Sequence, residues 1–153
     1  KKISSIGNKL IIMGNGGSAA MASHVVVDFT KAAGVRAINF NEADLLTCFA
    51  NDYGYEKVFE KAVEFYGDSG DLLIVISSSG SSKNVVNAAK RAKELKMAVI
   101  TFSGFKNDNP LRHLGDINFW VDSKAYNIVE MTHHVWLLSI VDYIVGNIYY
   151  TAN

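Results

Sequence analysis

The chain has 153 residues, of which 49% are hydrophobic and 20% charged, with 15 lysines and arginines against 15 aspartates and glutamates. A chain of this length folds as one domain and buries roughly two thirds of its extended surface, so residues 1–153 are expected to share a single core. The composition excludes intrinsic disorder, and the balanced charge gives no electrostatic draw toward nucleic acid or another polyanion.

Cys48 is the only cysteine. It has no internal disulfide partner, and no Cys/His spacing matches a structural zinc site, which fits a reducing, cytoplasmic setting. Residues 135–150 are the most apolar stretch, but they are short for a bilayer and carry Asp142, so a buried helix rather than a membrane segment is expected. No secretory signal is visible, and the sequence starts at Lys1 without methionine, which raises the expectation of an N-terminal helix outside it.

Taken in chain order, residues 9–14 form a short apolar run ending in glycine and predict a strand, followed by a helix over 18–33 that Gly34 stops. Residues 37–40 predict a second strand. Two helices follow over 42–50 and 55–66, separated by the turn-forming Asn51-Asp52-Tyr53-Gly54. Residues 71–77 are continuously apolar, as a strand covered on both faces is, and run into a serine-rich loop and a helix over 84–95. Strands over 97–102 and 117–121 and a long helix over 128–149 complete the chain. Regular alternation of strand and helix predicts an α/β protein whose parallel sheet is sandwiched between helices by right-handed crossovers.

In open parallel sheets, ligands bind beyond the carboxyl ends of the strands, where helix N-termini direct free N–H groups outward. Two loops fall there. Ser77-Ser78-Ser79-Gly80-Ser81-Ser82 offers hydroxyls at almost every position, and a helix cap alone needs one serine rather than five. Gly14-Asn15-Gly16-Gly17-Ser18 lacks both the GxGxxG spacing of a dinucleotide fold and the GK[ST] ending of a P-loop. A smaller phosphate ligand is expected, with no nucleotide cofactor.

His24 and Asp28 stand four apart in the first predicted helix, so they share one face. The pair reads either as proton-transfer machinery or as a satisfied, partly buried pair. Glu130 with His133 or His134 on the last helix admits the same two readings. Asn51 and Asp52 read as turn chemistry or as sugar-hydroxyl ligands. Arg112 and His113 read as a surface loop pair, and Trp120 and Trp136 as core or interface residues.

With these motifs in place, the chain resembles the SIS (sugar isomerase) family and its phosphoheptose isomerase branch. The likeness runs from Gly14-Asn15-Gly16-Gly17-Ser18 through His24, Asn51-Asp52-Tyr53-Gly54-Tyr55, Gly70-Asp71-Leu72-Leu73 and Ile76-Ser77-Ser78-Ser79-Gly80-Ser81-Ser82 to Asn84-Val85. It implies a three-layer α/β/α sandwich around a five-stranded parallel sheet, flavodoxin-like in plan, and a homotetramer whose active sites join neighbouring subunits. It implies sugar-phosphate binding by Asn15, Gly16, Gly17 and Ser18, by Ser77, Ser78, Ser79 and Ser82, and by Asn51 and Asp52 near the substrate. It also implies isomerisation of sedoheptulose 7-phosphate by proton transfer between adjacent carbons.

The chain departs from the family at the proton-transfer positions. Asp28 replaces the family's glutamate and is one methylene shorter. Val129 and Leu137 stand where the last helix of the family carries glutamine and the acid/base histidine. Relatives that hold zinc there use those same positions, so no metal is expected at that site. The catalytic candidates are Asp28, His24, Glu130, His133 and His134. The alternative is a non-catalytic SIS module that binds sugar phosphate or a protein partner for regulation.

Overall fold

A computed structural model describes Ser5 and residues 7–149. Strand β1 (Leu10–Gly14) leads into helix α1 (Gly17–Lys31), then β2 (Ala37–Ile38), α2 (Ala43–Tyr53), a turn of 3-10 helix (Tyr55–Lys57) and α3 (Val58–Tyr66). The order continues through β3 (Leu72–Ser77), α4 (Lys83–Glu94), β4 (Ala98–Ser103), a second 3-10 turn (Pro110–His113), β5 (Ile117–Trp120) and α5 (Tyr126–Val145). The five strands pair in parallel in the order β2-β1-β3-β4-β5. That is the flavodoxin-like order, and it places the topological switch between β1 and β3.

Side chains alternate across a strand, so each strand feeds two cores. Ile11, Met13, Leu73, Val75 and Val99 face one side and pack with Val58, Phe59 and Val63 of α3 and Val85, Ala88 and Ala92 of α4. Leu10, Ile12, Ile74, Ile76 and Phe102 face the other and pack with Met21, Val25 and Phe29 of α1 and Leu137 and Val141 of α5. The expected three-layer sandwich is therefore present, with α1 and α5 as neighbours on one face.

Several boundaries differ from the expected ones for identifiable reasons. The strand expected over 37–40 ends at Ile38, because Asn39 turns the chain by accepting the Asn41 N–H (3.2 Å). The strand expected from Asp71 begins at Leu72, since the Asp71 carboxylate accepts the backbone N–H groups of Lys9 and Asp68 (2.9 Å each). Asn51, Asp52 and Tyr53 form the last turn of α2 rather than a loop, and the helix runs on until Gly54 at φ 86°. The final helix stops at Val145, before Gly146 in the left-handed conformation, short of the expected Tyr149.

Candidate functional site

The β1 and β3 loops meet at the switch point. Asn15, Ser18, Ser77, Ser78, Ser79, Ser82, Tyr126 and Glu130 line a cavity of about 140 Å³, the size of a phosphate group and well below that of a whole sugar ligand. Helices α1, α4 and α5 all begin at its rim, and the residue before each makes no side-chain capping bond. Their first-turn N–H groups and the positive ends of their dipoles therefore converge on one small space. Ser82 occupies the cap position of α4, yet its hydroxyl turns to the Ser77 Oγ (3.3 Å) instead of closing on the helix.

The serine loop is held from below. The Gly80 N–H donates to the Ser77 carbonyl (2.9 Å), the Gly104 N–H to the Ser78 carbonyl (3.0 Å) and the Leu111 N–H to the Gly80 carbonyl (3.0 Å). Gly80 has φ 64°, and a Cβ there would stand 1.9 Å from Asn109 Oδ1. Asn109 is itself buried and donates to Ser103 Oγ (3.1 Å) and the Lys106 carbonyl (2.8 Å). At Gly104 a Cβ would stand 2.7 Å from Val129 Cγ1 and 3.2 Å from the Ser78 carbonyl oxygen.

A second set of polar side chains lies between α1 and α5. Glu130 joins the phosphate-sized cavity and packs its carboxylate against Gly17 at the start of α1. One turn further along α5, His134 Nε2 lies 3.0 Å from His24 Nδ1, and His24 Nε2 lies 3.4 Å from Asp28 Oδ2. Asp28 is near enough to attract a proton on His24 Nε2, and a neutral His24 that carries its proton there accepts at Nδ1 from His134 Nε2–H. Burial pushes His134 below the ordinary histidine value of 6.5, and the His24 ring adds to this while Asp28 opposes it, so His134 is neutral at pH 7. The step from Gly17 to His24 is seven residues, or about 10 Å of helix, so the row lies two turns along α1 from the cavity.

Three other candidates sit elsewhere. His133 is fully buried on the core stripe Val129, His133, Leu137 and Val141, with Nε2 3.0 Å from the Ser103 carbonyl. Asn51 and Asp52 are exposed on α2, bonded to each other (2.9 Å), and do not line the serine cavity. Trp120 lies under the Arg112 guanidinium and Trp136 beside Phe119, both partly buried. A larger cavity of about 710 Å³, lined by Ile38, Phe40, Leu45, Phe49 and the acidic Glu42 and Asp44, shares no lining residue with the serine cavity and carries carboxylates that would repel an anion.

The zinc arrangement of some relatives does not fit these residues. Val129 and Leu137 contribute apolar, fully buried side chains, and among the described residues no three histidine, cysteine or carboxylate groups converge as a metal set.

Two residues escaped the sequence reading as site members. Asn84, at the start of α4, exchanges two amide hydrogen bonds with Asn15 (2.9 Å each), and the Tyr55 hydroxyl donates to Asn15 Oδ1 (3.0 Å). The signal for Asn84 was a second polar residue directly after a serine cap, on the side of the helix that carries buried Val85 and Ala88.

Comparison with known proteins identifies the family and the fold. The family model described as SIS domain matches residues 3–104. A phosphoheptose isomerase of Fusobacterium nucleatum is 36% identical over 141 residues, 89% of this chain and 72% of that protein. A probable phosphoheptose isomerase of Thermoplasma acidophilum is 39% identical over 84% of this chain and 74% of that one. The solved phosphoheptose isomerase of Neisseria gonorrhoeae superposes with a TM-score of 0.86 at 32% identity, covering 94% of this chain and 79% of that one. On sequence and fold together, the chain belongs to the SIS domain family, as a phosphoheptose isomerase-like member.

Proposed function

We propose that the chain interconverts a phosphorylated ketose and aldose, with sedoheptulose 7-phosphate as the first substrate to test. The phosphate would sit among Asn15, Gly16, Gly17, Ser18, Ser77, Ser78, Ser79 and Ser82, and the sugar would extend from it toward His134 and His24. The observation that carries this reading is the row His134–His24–Asp28, in which His134 is hydrogen-bonded to His24 (3.0 Å) and Asp28 stands 3.4 Å from the far side of that ring. In the reaction a base takes the proton from the hydroxyl-bearing carbon next to the carbonyl while an acid protonates the carbonyl oxygen, giving an enediol; the proton is then delivered to the former carbonyl carbon as the other hydroxyl gives up its own and becomes the new carbonyl. His134 and Asp28 are the two proton-transfer groups, and His24 between them orients both and passes a proton from one to the other. Glu130, at the mouth of the cradle, faces the sugar hydroxyls.

The reading includes a homotetramer and a cytoplasmic setting. Val27 of α1 and Ile128, Met131 and Val135 of α5 are each more than half exposed, an apolar surface suited to subunit contact. Asn51 and Asp52 would then reach a site from a neighbouring subunit. Light scattering of the purified chain tests the assembly.

The test of the activity is incubation of the protein with sedoheptulose 7-phosphate in D₂O. Deuterium at the carbon next to the carbonyl, lost in His24→Gln, is the expected result. Tight binding without exchange would instead favour a non-catalytic phosphosugar-binding module, a reading supported by Val129 and Leu137 being packed in the core.

A further inference from the structure

We infer that Asn84 and Tyr55 form a clasp that fixes the orientation of the Asn15 amide and so presents one Asn15 N–H to the bound phosphate; this rests on the phosphosugar reading above. The Val85 backbone N–H can only donate, and it meets the Asn84 side chain at 2.9 Å, so the atom there is Oδ1. The Asn84 Nδ2 therefore faces Asn15 and donates to its Oδ1, while Asn15 Nδ2 returns a bond to Asn84 Oδ1, both at 2.9 Å. The Tyr55 hydroxyl adds a second donor to Asn15 Oδ1 at 3.0 Å.

Asn15 Oδ1 thus has both lone pairs occupied, and one of the two Nδ2 protons is used. The remaining N–H is the only hydrogen-bonding capacity the Asn15 side chain has left, and it is a donor. Asn15 lines the serine cavity, where a donor matches a phosphate oxygen and an acceptor would repel it. An unclasped amide can turn either its oxygen or its nitrogen inward; the clasp selects the nitrogen. Asn84 is itself 3% exposed and does not line that cavity. It is a positioning residue acting through Asn15.

The clasp also ties three segments together: the β1 loop through Asn15, the start of α4 through Asn84, and the Asn51-Asp52-Tyr53-Gly54-Tyr55 segment through Tyr55. The last of these gives that segment a part in phosphate recognition from within the same chain.

A double-mutant cycle with inorganic phosphate as the probe, read by NMR titration of the full chain, tests the inference. Asn84→Leu is expected to weaken phosphate binding about tenfold, the worth of one charge-assisted hydrogen bond. In an Asn15→Ala background the same substitution is expected to cost nothing further. Tyr55→Phe, on an exposed side chain, gives a smaller loss in the same pattern with the melting temperature unchanged, so the cycle survives even if Asn84→Leu folds poorly. Equal losses in both backgrounds, or losses that track melting temperature alone, would overturn the clasp while leaving phosphate binding intact. If the unaltered chain binds neither phosphate nor a sugar phosphate, the functional reading falls and the clasp with it.

Discussion

The serine cradle and the histidine row lie about two turns apart along α1, yet they are specified in different ways. The cradle is made of backbone: three uncapped helix starts, a loop pinned by the Gly104 and Leu111 N–H groups, and small residues that let a ligand approach. The row is made of side chains whose meeting depends on how α5 is rotated about its axis. Neighbouring residues on a helix point about 100° apart, so a rotation that buries His133 turns His134 toward α1. Recognition is thus written in the loops and chemistry in a helix face, and the second can change while the first stays.

Four measurements press on that contrast. The largest effect is expected from His134→Gln, which should lower kcat about a thousandfold, in the range of lost acid–base catalysis, with KM little changed. An equal loss in affinity would show that the row binds rather than reacts. Leu137→His, which installs the residue that the family resemblance implies at this position, should destabilise the protein by about 3 kcal/mol in chemical denaturation and add no turnover, because position 137 is in the core. A gain in turnover would mean that α5 presents its other face in the active assembly.

Gly80→Ala should cost about 2 kcal/mol from its left-handed backbone alone and weaken phosphate binding, with deuterium exchange at saturating substrate preserved. Loss of exchange at saturation would merge the two halves. The smallest effect concerns pH. Burial pushes His133 below 6.5 although its bond to the Ser103 carbonyl works the other way, so the folded state resists protonation. The unfolded chain takes up that proton, so stability is full above about 6.5 and declines as pH falls below it. His133→Leu should flatten the decline in melting temperature between neutral and mildly acid pH, with no change in the pH dependence of phosphate affinity.

The cradle was legible because glycine and serine at strand ends have few other uses, and the order of elements followed from apolar runs with glycine punctuation. The face of α5 was not. Ile128, Val129, Met131, Val135, Leu137 and Leu138 spread apolar side chains around most of its circumference, so periodicity could not choose a buried stripe or decide between His133 and His134. The mutual bond of Asn15 and Asn84 joins residues 69 apart in the chain, and spacing arguments reach only a turn or two. Asn51 and Asp52 misled for the opposite reason: their turn propensity is real, but the helix they end continues until a glycine stops it.

Gly104 is wedged between the helix that carries His134 and the carbonyl of Ser78. With no side chain of its own, it acts as a spacer of minimum thickness and sets the distance between the phosphate seat and the proton-transfer row. Any residue larger than glycine at this point would have to push Val129 of α5 or the Ser78 carbonyl aside, and so would move the helix and the serine loop apart.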